Sequence, residues 1–213
     1  MLAGCNGAGK SSIGGAALRA TGAPYFNPDE AARAILSANA RRSASITQEQ
    51  ANAAAWAQGR RLLERAIREK LDFAFETTLG GRTITALLLQ AAHEGHSVHV
   101  WFAGLESVEV HLERVRRRVA RGGHDIPEAK VRERYALGRE NLIRLLPCLA
   151  SVRVYDNSTE ADPAIGAEPS PALLLAMQRG RIGHPSNLRS LLTSTPNWAK
   201  PIVAAALKLH MRT

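Results

Sequence analysis

The chain of 213 residues has little cysteine, few aromatic residues and no long hydrophobic run. Its two cysteines, Cys5 and Cys148, are too few for a framework of several disulfide bonds and do not have the spacing of a zinc site, which favours a reducing cytoplasm. No apolar stretch approaches the roughly 20 residues that span a bilayer, so we expect no membrane association. No basic segment followed by an apolar segment opens the sequence, which argues against secretion.

The charge of the chain is unbalanced toward basic residues. With 28 lysines and arginines against 19 acidic residues, the formal net charge is +9, which fits nucleic acid, membrane headgroups or a polyphosphate ligand equally well. Many arginines fall in one stretch between residues 114 and 134, with few aromatic residues among them. Proteins that stack bases need aromatic platforms, so this stretch favours phosphate binding and makes nucleic acid the poorer candidate partner.

A glycine-rich segment near the start carries the strongest signal. Residues 4–11 read GCNGAGKS, which matches the G-x-x-x-x-G-K-[ST] phosphate-binding loop (P-loop) between an apolar segment and a helical pattern. In such loops backbone N–H groups hold the phosphates of ATP or GTP, the lysine reaches the β- and γ-phosphates, and the serine binds Mg²⁺. A glycine-rich turn that merely caps a helix is the weaker alternative. The predicted nucleotide-binding residues here are Asn6, Gly7, Ala8, Gly9, Lys10, Ser11 and Ser12, with Lys10 also catalytic and Ser11 the metal ligand.

Strand-like and helical segments alternate along most of the chain. Five predicted strands lie near residues 2–3, 25–26, 71–75, 98–103 and 152–155, with helical patterns between them. This alternation predicts an α/β fold of the P-loop NTPase kind, with a mostly parallel five-stranded sheet and helices on both faces. The first strand is very short, so either the true start lies upstream or a short central strand suffices.

The composition changes after residue 158, where Pro, Gly, Ser and Ala become frequent. A length of 213 residues suits one α/β domain with an appendage. We therefore expect residues 1–158 to form a P-loop kinase core, including an arginine-rich lid at about 114–134, and residues 159–213 to form a helical extension packed on that core.

Two acidic residues follow predicted strands, at the sheet edge where ligands of parallel sheets bind. Asp29 follows the second strand, but a carboxylate in a first helical turn is also stabilised by the helix dipole, so a catalytic and a structural role are equally supported. Glu76 ends an apolar strand and is followed by two threonines, which is a poor choice for a core and a good one for binding sugar hydroxyls or metal-bound water.

The arginine-rich stretch is interrupted by Gly122 and Gly123, which is typical of a mobile lid. Lid arginines stabilise the charge that develops on a transferred phosphoryl group. Some of these arginines also belong to a solvated helix face. The best catalytic candidates lie nearest the break and are Arg118, Arg121, Arg132 and Arg134, while His124 either contacts phosphate or caps the loop.

Several segments together resemble one family. GCNGAGKSS, FNPDEAAR, FAFETTLGGR, RVARGGHDIPEAKVRERY and VYDNS resemble, in order and spacing, the zeta-toxin family of P-loop kinases over about residues 2–158. The resemblance implies transfer of the ATP γ-phosphate to a hydroxyl of a UDP-activated amino sugar, typically UDP-N-acetylglucosamine. It also implies that Asp29 is the base, that Glu76 and Thr78 hold the sugar nucleotide, and that Lys10 and the lid arginines stabilise the transferred phosphoryl group. Tyr155, Asp156 and Asn157 are implied to lie near the adenine. An antitoxin protein is the implied partner.

Other functions remain compatible with the same residues. A kinase that acts on another small acceptor is one of them. A P-loop ATPase or a nucleotide-dependent module that contacts nucleic acid through its basic face is another, although no nucleic-acid-reading motif is present.

Overall fold

The computed structural model describes residues 1–20, 22–41, 45–159 and 171–212. Seven strands form one sheet: β1 Leu2–Ala3, β2 Tyr25–Phe26, β3 Ala74–Thr77, β4 His99–Gly104, β5 Ser151–Asp156, β6 Ala172–Gln178 and β7 Arg181–His184. The α-helices are α1 Ala16–Ala20, α2 Pro28–Arg41, α3 Gln48–Glu69, α4 Arg82–His93, α5 Val108–Ala120, α6 Glu128–Leu145, α7 Leu191–Ser194 and α8 Lys200–His210. A π-helical turn, Ser11–Gly15, leads into α1.

The sheet has the order β2-β3-β1-β4-β5-β6-β7. Strands β1 to β5 are parallel, as the alternation of strands and helices predicts. Although β1 has only two residues, it pairs on both sides: Leu2 is in register with Glu76 and Trp101, and Ala3 with Thr77 and Phe102. The short first strand is therefore a central strand, and it places the P-loop in the middle of the sheet's carboxyl edge.

The prediction of five strands and a wholly helical extension is wrong, because the segment after residue 170 adds an antiparallel hairpin to the sheet. The run ALLLAMQ of β6 lacks a polar alternation in the sequence, yet Leu175 and Met177 are buried and pair with Val154 and Val152. Burial of alternate residues against β5 therefore decides in favour of a strand over the helical preference of leucine and alanine. Residues 160–170 of the predicted extension lie outside the described residues.

The helix starts follow from local chemistry. Asn27 caps α2 by accepting hydrogen bonds from the N–H groups of Asp29 at 2.9 Å and Glu30 at 3.3 Å. The Glu30 carboxylate forms an ion pair with Arg19. At α3, Thr47 and Gln50 form a reciprocal capping box.

One hydrophobic core joins the sheet to the helices. Val100, Val152 and Val154 are fully buried in β4 and β5, and residues of α6 and α8 belong to the same cluster. Ile202 and Val203 of α8 are also fully buried, so the last helix packs on the core. Among the described residues, no helix is both long and apolar enough to cross a bilayer.

Candidate active site

A cleft of about 460 Å³ opens at the carboxyl edge of the sheet, beside the P-loop. Its wall comes from the P-loop, the start of α2, the middle of α3, the loop after β3 and the segment between α5 and α6. The predicted site residues that line it are Asn6, Lys10, Asp29, Glu76, Thr78, His124 and Arg134. Seven residues that are scattered over 128 positions of sequence thus meet in one concave site, with a volume typical of small-molecule pockets.

The P-loop backbone requires glycine at two close approaches. Gly4 has φ +139° and a Cβ at this position would lie 2.2 Å from the carbonyl oxygen of Ala103. Gly9 has φ +75° and its Cβ would lie 2.3 Å from Nδ2 of Asn157. Both the backbone conformation and the lack of space exclude larger residues, so these glycines hold the loop against β4 and β5.

Lys10 is partly buried at the inner end of the loop. Its Nζ donates a hydrogen bond of 3.4 Å to the carbonyl oxygen of Cys5. Burial lowers the pKa of Lys10, while the nearby carboxylates of Glu76 and Asp29 act in the opposite direction. Its charge is therefore poorly solvated, which makes it a strong partner for a phosphate.

Glu76 is the centre of a hydrogen-bond cluster. It is buried, and its Oε1 accepts hydrogen bonds from the hydroxyl of Ser11 at 2.8 Å, from the hydroxyl of Tyr25 and from Nδ2 of Asn27 at 3.2 Å. Burial and the bond to Glu76 raise the pKa of Tyr25, so its hydroxyl stays protonated and donates. The cluster links the P-loop, β2 and β3 through one carboxylate.

The hydrogen bonds around Glu76 also affect how the site could bind Mg²⁺. In the described part of the chain no three metal-ligating side chains of the His, Cys, Asp and Glu types come together. Mg²⁺ in nucleotide sites needs few protein ligands, because phosphate oxygens and waters complete its shell. The Ser11 hydroxyl, whose proton is directed to Glu76, keeps its lone pairs for a metal. The residues therefore fit a magnesium nucleotide, with Ser11 as the direct ligand.

Asp29 lies in the first turn of α2 and faces Arg118 and His124. Its carboxylate is 3.6 Å from Nη1 of Arg118 and 4.0 Å from Nε2 of His124. Arg118 also donates to the carbonyl oxygen of His124 at 3.3 Å. Burial lowers the pKa of His124, more than the Asp29 carboxylate raises it. Arg118 is thus the charged group that directly contacts Asp29.

Arg134 reaches the P-loop from α6. Its Nη1 donates a hydrogen bond of 2.9 Å to Oδ1 of Asn6. The stem of this side chain packs against Gly80, where a Cβ would lie 2.8 Å from Cγ of Arg134. The hydrogen bond between Asn6 and Arg134 thereby connects the P-loop to α6 at the wall of the cleft. Thr78 accepts a hydrogen bond of 3.4 Å from the N–H of Gly80.

Of the four predicted lid arginines, only Arg134 lines the cleft. Arg118 contacts the cleft residue Asp29 without lining the cleft, and Arg121 and Arg132 do not line it either. Arg132 is exposed and forms ion pairs with Glu109 at 3.0 Å and Glu128 at 2.7 Å. Arg121 is exposed at the C-cap of α5. Arg132 is placed on the far face of α6 by the helical spacing that brings Arg134 inward, since residues two apart point in different directions on a helix.

The predicted adenine contacts also lie elsewhere. Nδ2 of Asn157 donates to the carbonyl oxygen of Ala8 at 3.0 Å, so this buried side chain braces the P-loop. The ring of Tyr155 makes an edge contact with Trp101 at a centroid distance of 6.3 Å. Neither residue lines the cleft. The side chain of Ser12 lies outside the described part of the structure.

The sequence pattern missed one wall of the cleft. Asn52, Trp56 and Arg60 line it from one face of α3. Trp56 recurs with the apolar residues Leu63 and Ile67 at helical spacing, which suggests a common buried face, but Trp56 is 47% exposed whereas the other two are buried. The guanidinium of Arg60 lies 5.7 Å from the centre of the Trp56 ring. These three residues follow one another at intervals of four in the sequence, and this spacing indicates that they share one face of the helix.

Known proteins resemble this chain in sequence and in fold. The family model described as Zeta toxin matches residues 1–162. An uncharacterized protein of Haemophilus influenzae (strain ATCC 51907 / DSM 11121 / KW20 / Rd) is 39% identical over 70 residues, which are 33% of this chain and 50% of that protein. The chain thus matches about half the length of this curated relative.

Two solved structures share the fold. Chains from the AvrRxo1-ORF1:AvrRxo1-ORF2 complex with sulphate ions and from the AvrRxo1-ORF1:-ORF2 complex with ATP each match at a TM-score of 0.62 and 18% identity, over 98% of this chain and 75% of the other. At this identity the likeness shows the fold alone. The family match covers most of the chain and includes the P-loop, Asp29, Glu76 and the arginine-rich stretch between residues 114 and 134. The chain is therefore a member of the zeta toxin family.

Proposed function

We propose that the chain is an ATP-dependent kinase that phosphorylates a hydroxyl of a UDP-activated amino sugar. The observation that carries this proposal is the shared cleft of Lys10, the lysine of the P-loop, and Asp29, an acid beside the space for an acceptor. A phosphate-binding loop alone fits an ATPase. A carboxylate in the same cleft supplies the base that transfer to a hydroxyl needs.

The chemistry follows from these groups. The acceptor hydroxyl oxygen attacks the γ-phosphorus, the bond from this phosphorus to the β–γ bridging oxygen breaks, and ADP leaves. Asp29 takes the hydroxyl proton, and its contact with Arg118 at 3.6 Å orients the carboxylate. Lys10 and Arg134 offset the negative charge on the phosphoryl group. When Mg²⁺ is bound through Ser11, it supplies further neutralisation of phosphate charge.

The wall formed by Asn52, Trp56 and Arg60 supports a nucleotide-linked acceptor. An exposed tryptophan offers a flat face for a base, and a guanidinium suits a diphosphate. Thr78 and the second oxygen of Glu76 supply polar groups for a sugar at the inner end of the cleft. A small free sugar would leave the tryptophan wall without a contact.

ATP as the donor is supported by the neighbour that was solved with ATP. An antitoxin-type partner is supported by the same neighbours, which were solved as complexes of ORF1 with ORF2. We therefore propose ATP as the donor, an antitoxin-type protein as the partner and the cytoplasm as the location, because ATP and nucleotide sugars are made there.

The nucleic-acid alternative has less support, because much of the arginine-rich stretch is neutralised locally. Arg116 and Arg117 pair with Glu113, and Arg132 pairs with Glu109 and Glu128. A face of paired charges attracts phosphate backbones weakly.

The test is incubation of the purified chain with MgATP and a panel of UDP-sugars, followed by mass spectrometry. We expect one UDP-amino sugar to gain one phosphate, with ADP released in equal amount. The Lys10→Ala variant is the control for contaminating kinases. Phosphorylation of free sugars but of no UDP-sugar would contradict the acceptor class, and release of ADP without any phosphorylated acceptor would contradict the kinase itself.

A further inference from the structure

A second, much smaller cavity of about 10 Å³ lies behind the P-loop. Cys5, His111, Arg134, Tyr135, Arg139 and Trp198 contribute to its lining. His111 is fully buried and Trp198 is 3% exposed. Nε2 of His111 and Nε1 of Trp198 are both buried, and within residues 1–20, 22–41, 45–159 and 171–212 neither has a hydrogen-bond partner. A buried polar atom without a partner is costly, so two of them at one cavity need an explanation.

The tautomer of the His111 ring follows from the hydrogen bond made by its other nitrogen, Nδ1. Nδ1 lies 2.7 Å from the backbone carbonyl oxygen of Asn6. A carbonyl oxygen only accepts, so Nδ1 carries the hydrogen and Nε2 carries a lone pair. Burial lowers the pKa of His111 to about 4, and the ring is neutral at physiological pH. Nε2 therefore needs a hydrogen-bond donor.

Trp198 has the opposite requirement. An indole N–H only donates, so it needs an acceptor. The ring is held in place by close packing: a Cβ on Gly104 would lie 2.3 Å from Cζ3 and Cη2 of Trp198, and the Phe102 ring lies 6.4 Å away, centre to centre. The backbone is held as well, because Nη1 of Arg139 donates to the Trp198 carbonyl oxygen at 3.4 Å.

The occupant of the cavity must accept from Trp198 and donate to His111. An anion cannot donate, and a cation cannot accept and would be repelled by Arg134 and Arg139. Water does both, and a volume of about 10 Å³ is what one water molecule needs. We propose that one buried water bridges Trp198 and His111, and that Trp198 is thereby a positioning residue for Asn6 of the P-loop.

The chain of contacts runs from the C-terminal segment to the phosphate site. Trp198 precedes α8, the bridge reaches His111, and His111 holds the Asn6 carbonyl oxygen while Arg134 holds its side chain. Loss of the bridge leaves His111 free to shift and so loosens the loop. The expected effect is on nucleotide binding, which is measured without an acceptor and does not depend on the acceptor that we propose.

The test compares ATP affinity in the full chain by calorimetry. Trp198→Phe keeps the ring and removes the N–H, and we expect the Kd for ATP to rise about five- to tenfold, the range that one buried hydrogen bond is worth. His111→Asn keeps a donor for the Asn6 carbonyl and removes the Nε2 acceptor, and we expect a similar rise. The matched control is His184→Asn, which makes the same exchange at an exposed histidine of β7 that does not line this cavity, and it should leave Kd within about twofold.

The double variant separates a bridge from two independent packing defects. If one water connects the residues, the combination of Trp198→Phe and His111→Asn weakens ATP binding no more than either change alone. If the rise in Kd of the double variant equals the product of the two single rises, the proposal is wrong. A crystal structure of the unaltered chain at high resolution decides the matter even where a variant fails to fold: density for a water within about 3 Å of both nitrogens is expected, and its lack overturns the bridge.

Discussion

The hydroxyl of Ser11 donates a hydrogen bond of 2.8 Å to Oε1 of Glu76. The P-loop motif assigns the serine to the metal, and the resemblance to the zeta-toxin family assigns the glutamate to the sugar nucleotide. The contact connects the two proposed roles, because Oε1 of Glu76 orients the Ser11 hydroxyl while the other carboxylate oxygen remains available to a ligand in the cleft. Strand β3 thereby takes part in both halves of the site.

Glu76→Gln tests this contact. The amide oxygen can still accept from Ser11, but the negative charge near the metal position is lost. We expect a several-fold higher Mg²⁺ concentration for half-maximal phosphoryl transfer, with ATP binding in the absence of metal little changed. A magnesium titration of ADP release measures the effect, and an unchanged midpoint would show that Glu76 does not act through Ser11.

Asp29→Asn should keep ATP affinity and lower phosphoryl transfer by about 10²- to 10⁴-fold, the usual contribution of a general base. Calorimetry measures the first quantity and acceptor-dependent ADP release the second. Glu30→Gln is the matched control, because this neighbouring carboxylate pairs with Arg19 and does not line the cleft. Normal turnover of Asp29→Asn would refute its role as the base.

The lid arginines should separate into two groups. Arg118→Ala removes the cation 3.6 Å from Asp29, and we expect kcat to fall by at least about tenfold. Arg132→Ala removes a side chain that is 47% exposed and bound to two surface carboxylates, so we expect kcat within about twofold of the unaltered chain. Steady-state kinetics on both variants gives the answer. Equal losses would mean that the lid rearranges when substrates bind.

The stability of the protein should fall in mild acid because of His111. Its pKa is about 4 in the folded chain against an ordinary 6.5, so between these values the unfolded chain binds a proton that the folded chain does not. The free energy of unfolding should therefore decrease as pH falls from about 6.5 to about 4, by on the order of 3 kcal/mol. Urea unfolding at several pH values measures it. His111→Asn lacks this titration, and an equal decrease in that variant would assign the effect to other groups.

The parts of the site that depend on neighbouring residues were predictable from the sequence. The P-loop is contiguous, and the caps of α2 and α3 use side chains within three residues of the helix start. Asp29 and Glu76 were predictable because parallel strands end at one edge of a sheet. The parallel order of the first five strands followed from the alternation of strands and helices.

The parts that depend on distant contacts were not predictable. The role of Asn157 requires that β5 bring it against Gly9 and Ala8, which no local pattern shows. The strand β6 forms because Leu175 and Met177 pack on β5, and Trp56 faces the cleft because neighbouring helices leave it uncovered. The choice between Arg132 and Arg134 depended on the rotation of α6 about its own axis.

The strand that leads into the P-loop is β1, whose two residues each pair with both β3 and β4. Such amides open only when the middle of the sheet comes apart, so their hydrogen exchange should proceed at the rate of global unfolding. Nucleotide affinity then depends on the folding stability of the whole domain. Substitutions that loosen β3 or β4 should register in a binding assay even when they lie far from any phosphate.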